Sequence, residues 1–517
     1  MLLAIAALLI TSLLVTAALV AAEGDTHLTR RDTASKKAYY AAQAGIDNYL
    51  FHLNRNSGYW AECTEGAAEM NKSLNQKGSV TNRVSVPGAT EEEYAIQLLP
   101  ASTSPETKCN PAKPTETMIE EGTEAGGTFR IESTGYSGKA STCVANKQPC
   151  AKRTLVASFS NSGLLNFIYY TKYETLDPNT YSPAKPQCEA FRASRPSECE
   201  DITFGSKDDI KGPLHTEDTS QYCGEPTFGR DAQDQIEFKG GLVKASGCTA
   251  SESPVYEGTK VTKVETVEPP ASNASLKSIA GAKYTGKTTI VLNGATMSVT
   301  NNKGVTEPNV PVPANGVIYV SSETCSISYT PYNPTYTADS GCGNVYVSGN
   351  YTKSLTIAAE NDIVIDGSIT TTTNSEGIPT SGAVLGLIAN NFVRVWRPLN
   401  ASRGNSKGSC GTATAPSNPT NVNNISIYAA ILALNHSFIV DNNDCGGTSG
   451  NLNVYGAIAQ KFRGTVGTGS SSTGELATGY NKEYEYDDRL QIESPPYFLN
   501  PVKAAWKIRR ETLAPSP

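Results

Sequence analysis

Histidine is scarce in this chain, with 4 in 517 residues, and tryptophan scarcer still, with 3. No two cysteines have C-x-x-C spacing, so a structural zinc site lacks its ligands and no metal is expected. G-x-S-x-G, H-E-x-x-H and a phosphate-cradling glycine loop are all missing, which removes the usual signatures of hydrolases, zincins and nucleotide-binding enzymes. No cofactor and no catalytic residue is assigned. Positive charge is not in excess either: 43 Lys and Arg stand against 50 Asp and Glu, a net charge of -7. Without a basic footprint, nucleic acid is excluded as a partner.

What is present favours strands and turns. Glycine numbers 44, and Asn, Ser and Thr are abundant, so the composition reads as mainly β. The length exceeds one ordinary core, so several domains are expected. There are 12 cysteines, scattered from Cys63 to Cys445. An even set without metal spacing reads as disulfides and an oxidising compartment. Closing a short loop costs the least entropy, so near neighbours should pair. That gives Cys143–Cys150, Cys188–Cys199, Cys223–Cys248 and Cys325–Cys342, with Cys410–Cys445 and Cys63–Cys109 following by elimination.

Residues 2–22 are apolar apart from Thr11, Ser12 and Thr16. A helix of that length reaches roughly 30 Å, enough to cross a bilayer. A retained anchor fits this length. A cleaved signal peptide, with the mature chain starting near Glu23, stays open as the alternative. Arg30, Arg31, Lys36 and Lys37 follow the run, which would place that side in the cytoplasm by the positive-inside rule. The cysteines place it outside, and basic residues upstream of the numbered start would reconcile the two. Ala38, Ala42, Ile46, Tyr49, Leu50 and Leu53 then form one stripe at helical period, continuing the rod as a stalk until Gly58.

The string Ala38-Tyr39-Tyr40-Ala41-Ala42-Gln43-Ala44-Gly45-Ile46 resembles the A-x-x-A-A-E-A-G-I signature of PilX-type minor pilin-like proteins. The resemblance implies a hydrophobic helix packed among pilin helices and a β head on its polar half. Alternating segments 93–99, 128–133 and 153–159 would supply that head as a small antiparallel sheet. The Gly–Phe cleavage site and early Glu of pilins are not in this sequence, which puts processing by a prepilin peptidase in question.

Beyond residue 164 a hidden repeat emerges. Leu355–Ile365 aligns without gaps on Leu385–Val395, thirty residues on. A looser copy is Ala430, Leu432, Leu434, His436, Phe438 and Val440, and an earlier one Ile202, Phe204, Ser206, Asp208, Ile210 and Gly212. Each reads as strand, polar corner and strand. One such unit cannot bury its apolar face, but stacked copies can, with Asn361 and Asn391 as a corner ladder. The reading is an irregular β-solenoid, with a β-sandwich as the alternative. Blocks 316–322, 344–367, 429–440, 455–464 and 484–498 resemble an uncharacterised bacterial ectodomain family, which implies a pilus-associated surface protein and no particular chemistry.

The organisation expected is therefore an anchor and stalk helix (1–57), a pilin-like β head (58–163), a solenoid-like ectodomain (164–500) and an extended tail crossing the last rung (501–517). The one string with acid–base residue types is 208–218, which holds Asp208, Asp209, Lys211, His215, Glu217 and Asp218. Asp208, Asp362, Asp366 and His436 read first as corner residues. There are 25 tyrosines, which suit binding surfaces and sheet faces alike. The expected function is a membrane-anchored, cell-surface structural or adhesive protein. Its candidate partners are the membrane through the N-terminal helix, pilin-like subunits or a second copy, and surface glycans. The alternatives are a secreted carbohydrate-active β-helix with its site near His215, or a pseudopilus assembly factor. Peptide mapping without reductant should recover the neighbour pairs above; mainly free thiols would defeat both the pairing and the extracytoplasmic placement.

Overall fold

A computed structural model describes residues 29–54, 83–99, 128–145, 150–161, 163–326, 329–334, 339–470, 472–491, 494–501 and 506–513. Residues 2–22, the expected membrane run, lie outside these. Among the described residues no helix is long and apolar enough to cross a membrane. The chain forms two compact units, one holding the described parts of 29–161 and 506–513, the other those of 163–501.

In the first unit residues 29–54 form one helix. Its stripe of Ala38, Ala42, Ile46, Tyr49 and Leu53 is fully buried. Leu50 is only partly buried, because Tyr49 takes the central position against Phe159. The partner is an antiparallel sheet in the order Val84–Ser85, Glu93–Leu99, Thr128–Tyr136, Lys152–Asn161, Trp506–Leu513. Period-two alternation turns Tyr94, Ile96, Ile131, Leu155, Ala157 and Phe159 toward the helix. Small residues set the distance. A Cβ on Gly135 would lie 2.0 Å from the Ala38 carbonyl oxygen, so only glycine fits there. The Ser133 hydroxyl donates to the Ala42 carbonyl at 2.8 Å. The last strand corrects the expected tail. Instead of crossing a rung of the large unit, Trp506–Leu513 pairs antiparallel along Lys152–Asn161. Its backbone satisfies the open edge of the small sheet, which no local pattern could announce.

The second unit is a stack of parallel strands in three ranks. Along the first rank Ile318, Ile357, Leu387, Ile431, Ile458, Tyr169, Leu214 and Ile236 face one another in turn. The second aligns Val345, Ile363, Val393 and Phe438. The third aligns Ile427, Val454, Tyr484, Ile210, Phe228 and Tyr256. These side chains share one core. Each contributes roughly 1.5–3 kcal/mol through burial, so the columns hold the stack together. Parallel register at every step is what stacked rungs require and what two facing antiparallel sheets do not provide.

The gapless repeat falls into register, with Leu355 opposite Leu385 and Ile363 opposite Val393. Its corner asparagines form a ladder: Asn391 Nδ2 donates to Asn361 Oδ1 at 2.6 Å, and Asn361 Nδ2 to Asn344 Oδ1 at 2.7 Å. The third copy is shifted. Leu387 faces Ile431 while Val393 faces Phe438, because the later corner holds one more residue. His436 therefore stacks on Phe392, centroids 4.4 Å apart, and does not match Asn361. The earliest copy spans a different corner: Phe204 belongs to a separate three-stranded ladder and Ile210 to the third rank.

The order of the rungs departs from the order of the sequence. The chain starts within the stack at Tyr169–Tyr173, winds to Thr259–Lys260 at one end, and restarts at Ala282–Thr285 at the other. It winds back until Thr448–Phe462 lies beside Tyr169–Tyr173. Residues 261–281 bridge the two ends as a strap across the first rank. Val267 bonds Glu217 and Tyr170, Glu268 meets Lys172, and Asn273 bonds the carbonyls of Ala359 and Ile388. Residues 494–499 form a second cover, where Pro495 and Phe498 press on Gly386. The first rank is thus buried on both faces, which is why Ala358, Ile388 and Leu432 are apolar and buried although they point outward.

Three of the neighbour disulfides are present, Cys188–Cys199, Cys223–Cys248 and Cys325–Cys342, and so is Cys410–Cys445, expected by elimination. Cys150 is also bonded. Cys63, Cys109 and the Cys143 side chain lie outside the described residues. Ile363→Asp, which places an unpaired charge in the core of the repeat, should cost on the order of 3–5 kcal/mol in urea denaturation. A change within about 1 kcal/mol would contradict the stacking.

Candidate functional site

The string 208–218 contains two corners, one at Asp208 and one at Gly212, whose φ of 149° suits only glycine. Its chemistry-bearing residues are consequently scattered. Asp209 and Lys211 stay on the third rank, where Lys211 lies 3.3 Å from Asp209 and 3.6 Å from Glu483. Asp218 turns inward, accepting the Glu174 and Arg192 amides and pairing with Arg195. Arg192, Arg195 and Gln221 share Asp201. This network holds down the insertion that the Cys188–Cys199 bridge closes.

His215 lies under the strap, 0% exposed. Its Nδ1 is 2.7 Å from Glu237 and its Nε2 2.9 Å from Glu217, and its ring stacks on Tyr170. Burial opposes the charged imidazole, but the two carboxylate bonds outweigh it and hold the pKa above its ordinary value. With a carboxylate at each nitrogen, both positions donate, and neither is left to act on a substrate. Glu217 also bonds Lys239 at 2.6 Å and the Val267 amide at 2.7 Å. Burial works against its charge too, yet these bonds hold its carboxyl below the usual range. The cluster is a latch for the strap. It is no acid–base pair.

Two further sequence candidates are also structural. Asp362 faces Arg394 at 3.3 Å and accepts the Phe392 amide at 3.1 Å, and burial holds its carboxyl above the usual range. His436 bonds Asp177 at 2.9 Å. Among the described residues the one metal-like grouping is Cys410, Asp444 and Cys445. Its sulfurs are joined to each other, and Arg403 and the Gly408 amide take the carboxylate.

An open cleft of about 560 Å³ lies where the second rank is interrupted. One wall includes Ile202, Thr203 and Gly205, around the edge strand Thr203–Phe204, which among the described residues pairs only with Ser220–Tyr222. The other includes Gly467–Gly469, which among the described residues pairs only with Leu476–Tyr486. Gln221, Asn481, Asp201, Asp208 and Lys482 complete a polar lining. Lys482 Nζ reaches Asp208 Oδ2 at 2.6 Å, and the Gly205 amide donates to the same oxygen at 2.9 Å. Burial pushes the lysine below its ordinary pKa. Asp208 opposes that shift and Arg463 adds to it. Arg463, 1% exposed, is held by Glu174 at 2.9 Å and lies 3.6 Å over the Phe204 ring. Sequence reading passed over Lys482, although a signal was there. Tyr480, Lys482, Tyr484 and Tyr486 share one phase of the alternation, and the three tyrosines are buried.

No protein family matches the chain, and no curated protein matches it. Among solved structures, the competence-associated pilin ComZ from Thermus thermophilus aligns with 93% of this chain and 98% of its own, at 11% identity and a TM-score of 0.27. A likeness that weak carries no argument about this chain.

The latch predicts a pH dependence. The raised His215 pKa stabilises fully below the unfolded value and is lost as pH rises through the folded one; Glu217 acts oppositely, losing its contribution as pH falls through its lowered value. His215→Gln should therefore lower the melting temperature by several degrees near about pH 6 and by much less near about pH 9. Equal losses at both would contradict the charged latch.

Proposed function

We propose that this chain is an extracytoplasmic, pilus-related surface protein, a minor pilin-like or pilus-associated subunit that carries a β-solenoid. One observation bears most of this reading. The small sheet is interrupted between two adjacent strands, Lys152–Asn161 and Trp506–Leu513, and the whole stack of rungs is inserted there. A helix bedded on a small antiparallel sheet is the organisation that the pilin-like signature at 38–46 implies. The insertion makes that sheet a carrier whose continuity depends on the stack having folded. Four disulfides in the second unit fit an oxidising compartment.

The helix has a second face, where Tyr40 and Phe51 are 68% and 54% exposed. On this reading it meets pilin-like subunits or a second copy, and the apolar run at 2–22 anchors the protein in the membrane. The polar cleft, with two open sheet edges, is where an adhesive role toward surface glycans would be sought. A carbohydrate-active enzyme built on His215 has no support, since both ring nitrogens are engaged and the site is closed.

Envelope fractionation, with mass spectrometry of the mature N-terminus, tests the anchored subunit. The protein should fractionate with membranes or sheared surface appendages, and a soluble product beginning at Glu23 would overturn the reading. Ala42→Arg should remove it from that fraction while the four disulfides of the large unit still form, since Ala42 packs against Ser133 and Gly135 of the small sheet.

A further inference from the structure

Lys482 is a lysine aimed into a stack. It shares its strand phase with three buried tyrosines, and its own side chain is 12% exposed against 9% for Asp208. The two residues are brought together by the backbone. Leu476–Tyr486 pairs in parallel with Asp209–Lys211, placing Glu483 opposite Asp209, so 482 and 208 are neighbours by register. The Gly205 amide fixes the orientation of the Asp208 carboxyl. Around them stand Tyr484 and the Arg463–Glu174 pair, all nearly inaccessible to water. In such surroundings separated charge is expensive, and the uncharged product of joining the two groups is favoured. Burial already draws the lysine toward its neutral, nucleophilic form.

We propose that Lys482 and Asp208 become joined by an intramolecular isopeptide bond. The Nζ atom, 2.6 Å from the carboxylate oxygen, adds to Asp208 Cγ. The Nζ–Cγ bond forms, one Cγ–Oδ bond breaks, and the two protons needed by the departing oxygen come from the lysine ammonium and its amide nitrogen. One water leaves. Nothing is oxidised or reduced, and no co-reactant is required. Both residues line the polar cleft, so the water has a direct path out. The fold holds amine and carboxyl in contact, and this high effective concentration is what favours the condensation.

The bond would close a covalent ring from 208 to 482, containing the rungs at both ends of the stack and the strap between them. The chain enters and leaves this unit through adjacent strands of the small sheet. Tension applied through those two connections would therefore bypass everything inside the ring. That benefit rests on the surface role proposed above, whereas the bond itself does not, and the two fail separately: one by localisation, the other by mass.

The test is a peptide map of the purified full chain. After reduction and digestion, a branched peptide should join the segment containing Asp208 to that containing Lys482, lighter by one water than the two segments together. Lys482→Arg and Asp208→Ala should each abolish the branch. A parallel digest without reductant must contain the Cys223–Cys248 and Cys410–Cys445 peptides, which shows that the sample is folded. Wild-type protein that passes this control and yields only the two linear peptides overturns the proposal, leaving Lys482 and Asp208 as a buried ion pair.

Discussion

A parallel rung bonds only to the rung above and the rung below, so a stack of them is stable in its middle and exposed wherever it ends or is interrupted. Much of the large unit answers this constraint. At one end the antiparallel strands Thr296–Thr300 and Thr306–Pro311 continue the ladder, and the outer one carries Pro308 and Pro311, which cannot donate to another chain. At the other end the strands shorten to two residues, and Lys260 lies over the ring of Tyr256. The third vulnerable place is inside the stack, where the first and last parts of the chain meet.

That join carries buried polar interactions that link the two parts of the chain. Gln460 and Thr171 touch across it, Arg463 reaches Glu174, and Lys482 reaches Asp208. Buried charge is a costly way to gain stability, and replacing such pairs by apolar side chains is often harmless. Its value here is specificity. Apolar columns alone would tolerate many pairings among similar rungs, whereas a buried arginine accepts only the rung that brings a carboxylate. The interrupted second rank, and the cleft it leaves, are the geometric residue of the same join.

The two covers explain a feature that otherwise reads as excess hydrophobicity. Outward positions of the first rank are Tyr319, Ala358, Ile388, Leu432 and Ala459, all buried. They need a partner that arrives late in folding, because 261–281 can settle only once rungs from both halves exist. The latch at His215 and the anchoring of Asn273 on two rung carbonyls fix the strap at separate points along the rank. Long sequence separation at the join and at the strap implies slow assembly, and local disulfides restrain the insertions meanwhile.

Local pattern in the sequence determined several things by itself. Period-two alternation and the thirty-residue spacing between Leu355–Ile365 and Leu385–Val395 set the register of those rungs, since a one-residue slip would turn the large inward side chains away from their columns and break the asparagine ladder. Short spacing favoured three of the four disulfides, with Cys410–Cys445 left by elimination, and the 38–53 stripe marked the buried side of the helix. Other features were legible only in part. The copy at 430–440 carries apolar residues on both faces, so alternation could not fix its phase, and an extra corner residue moved His436. Tertiary structure alone decided the rest: the return of 506–513 to the small sheet, the start within the stack, the strap, and the meeting of Lys482 with Asp208. The reason is physical. Those contacts join residues far apart in the chain, and their favourable energy exists only after the intervening rungs have stacked, so no stretch of sequence contains it.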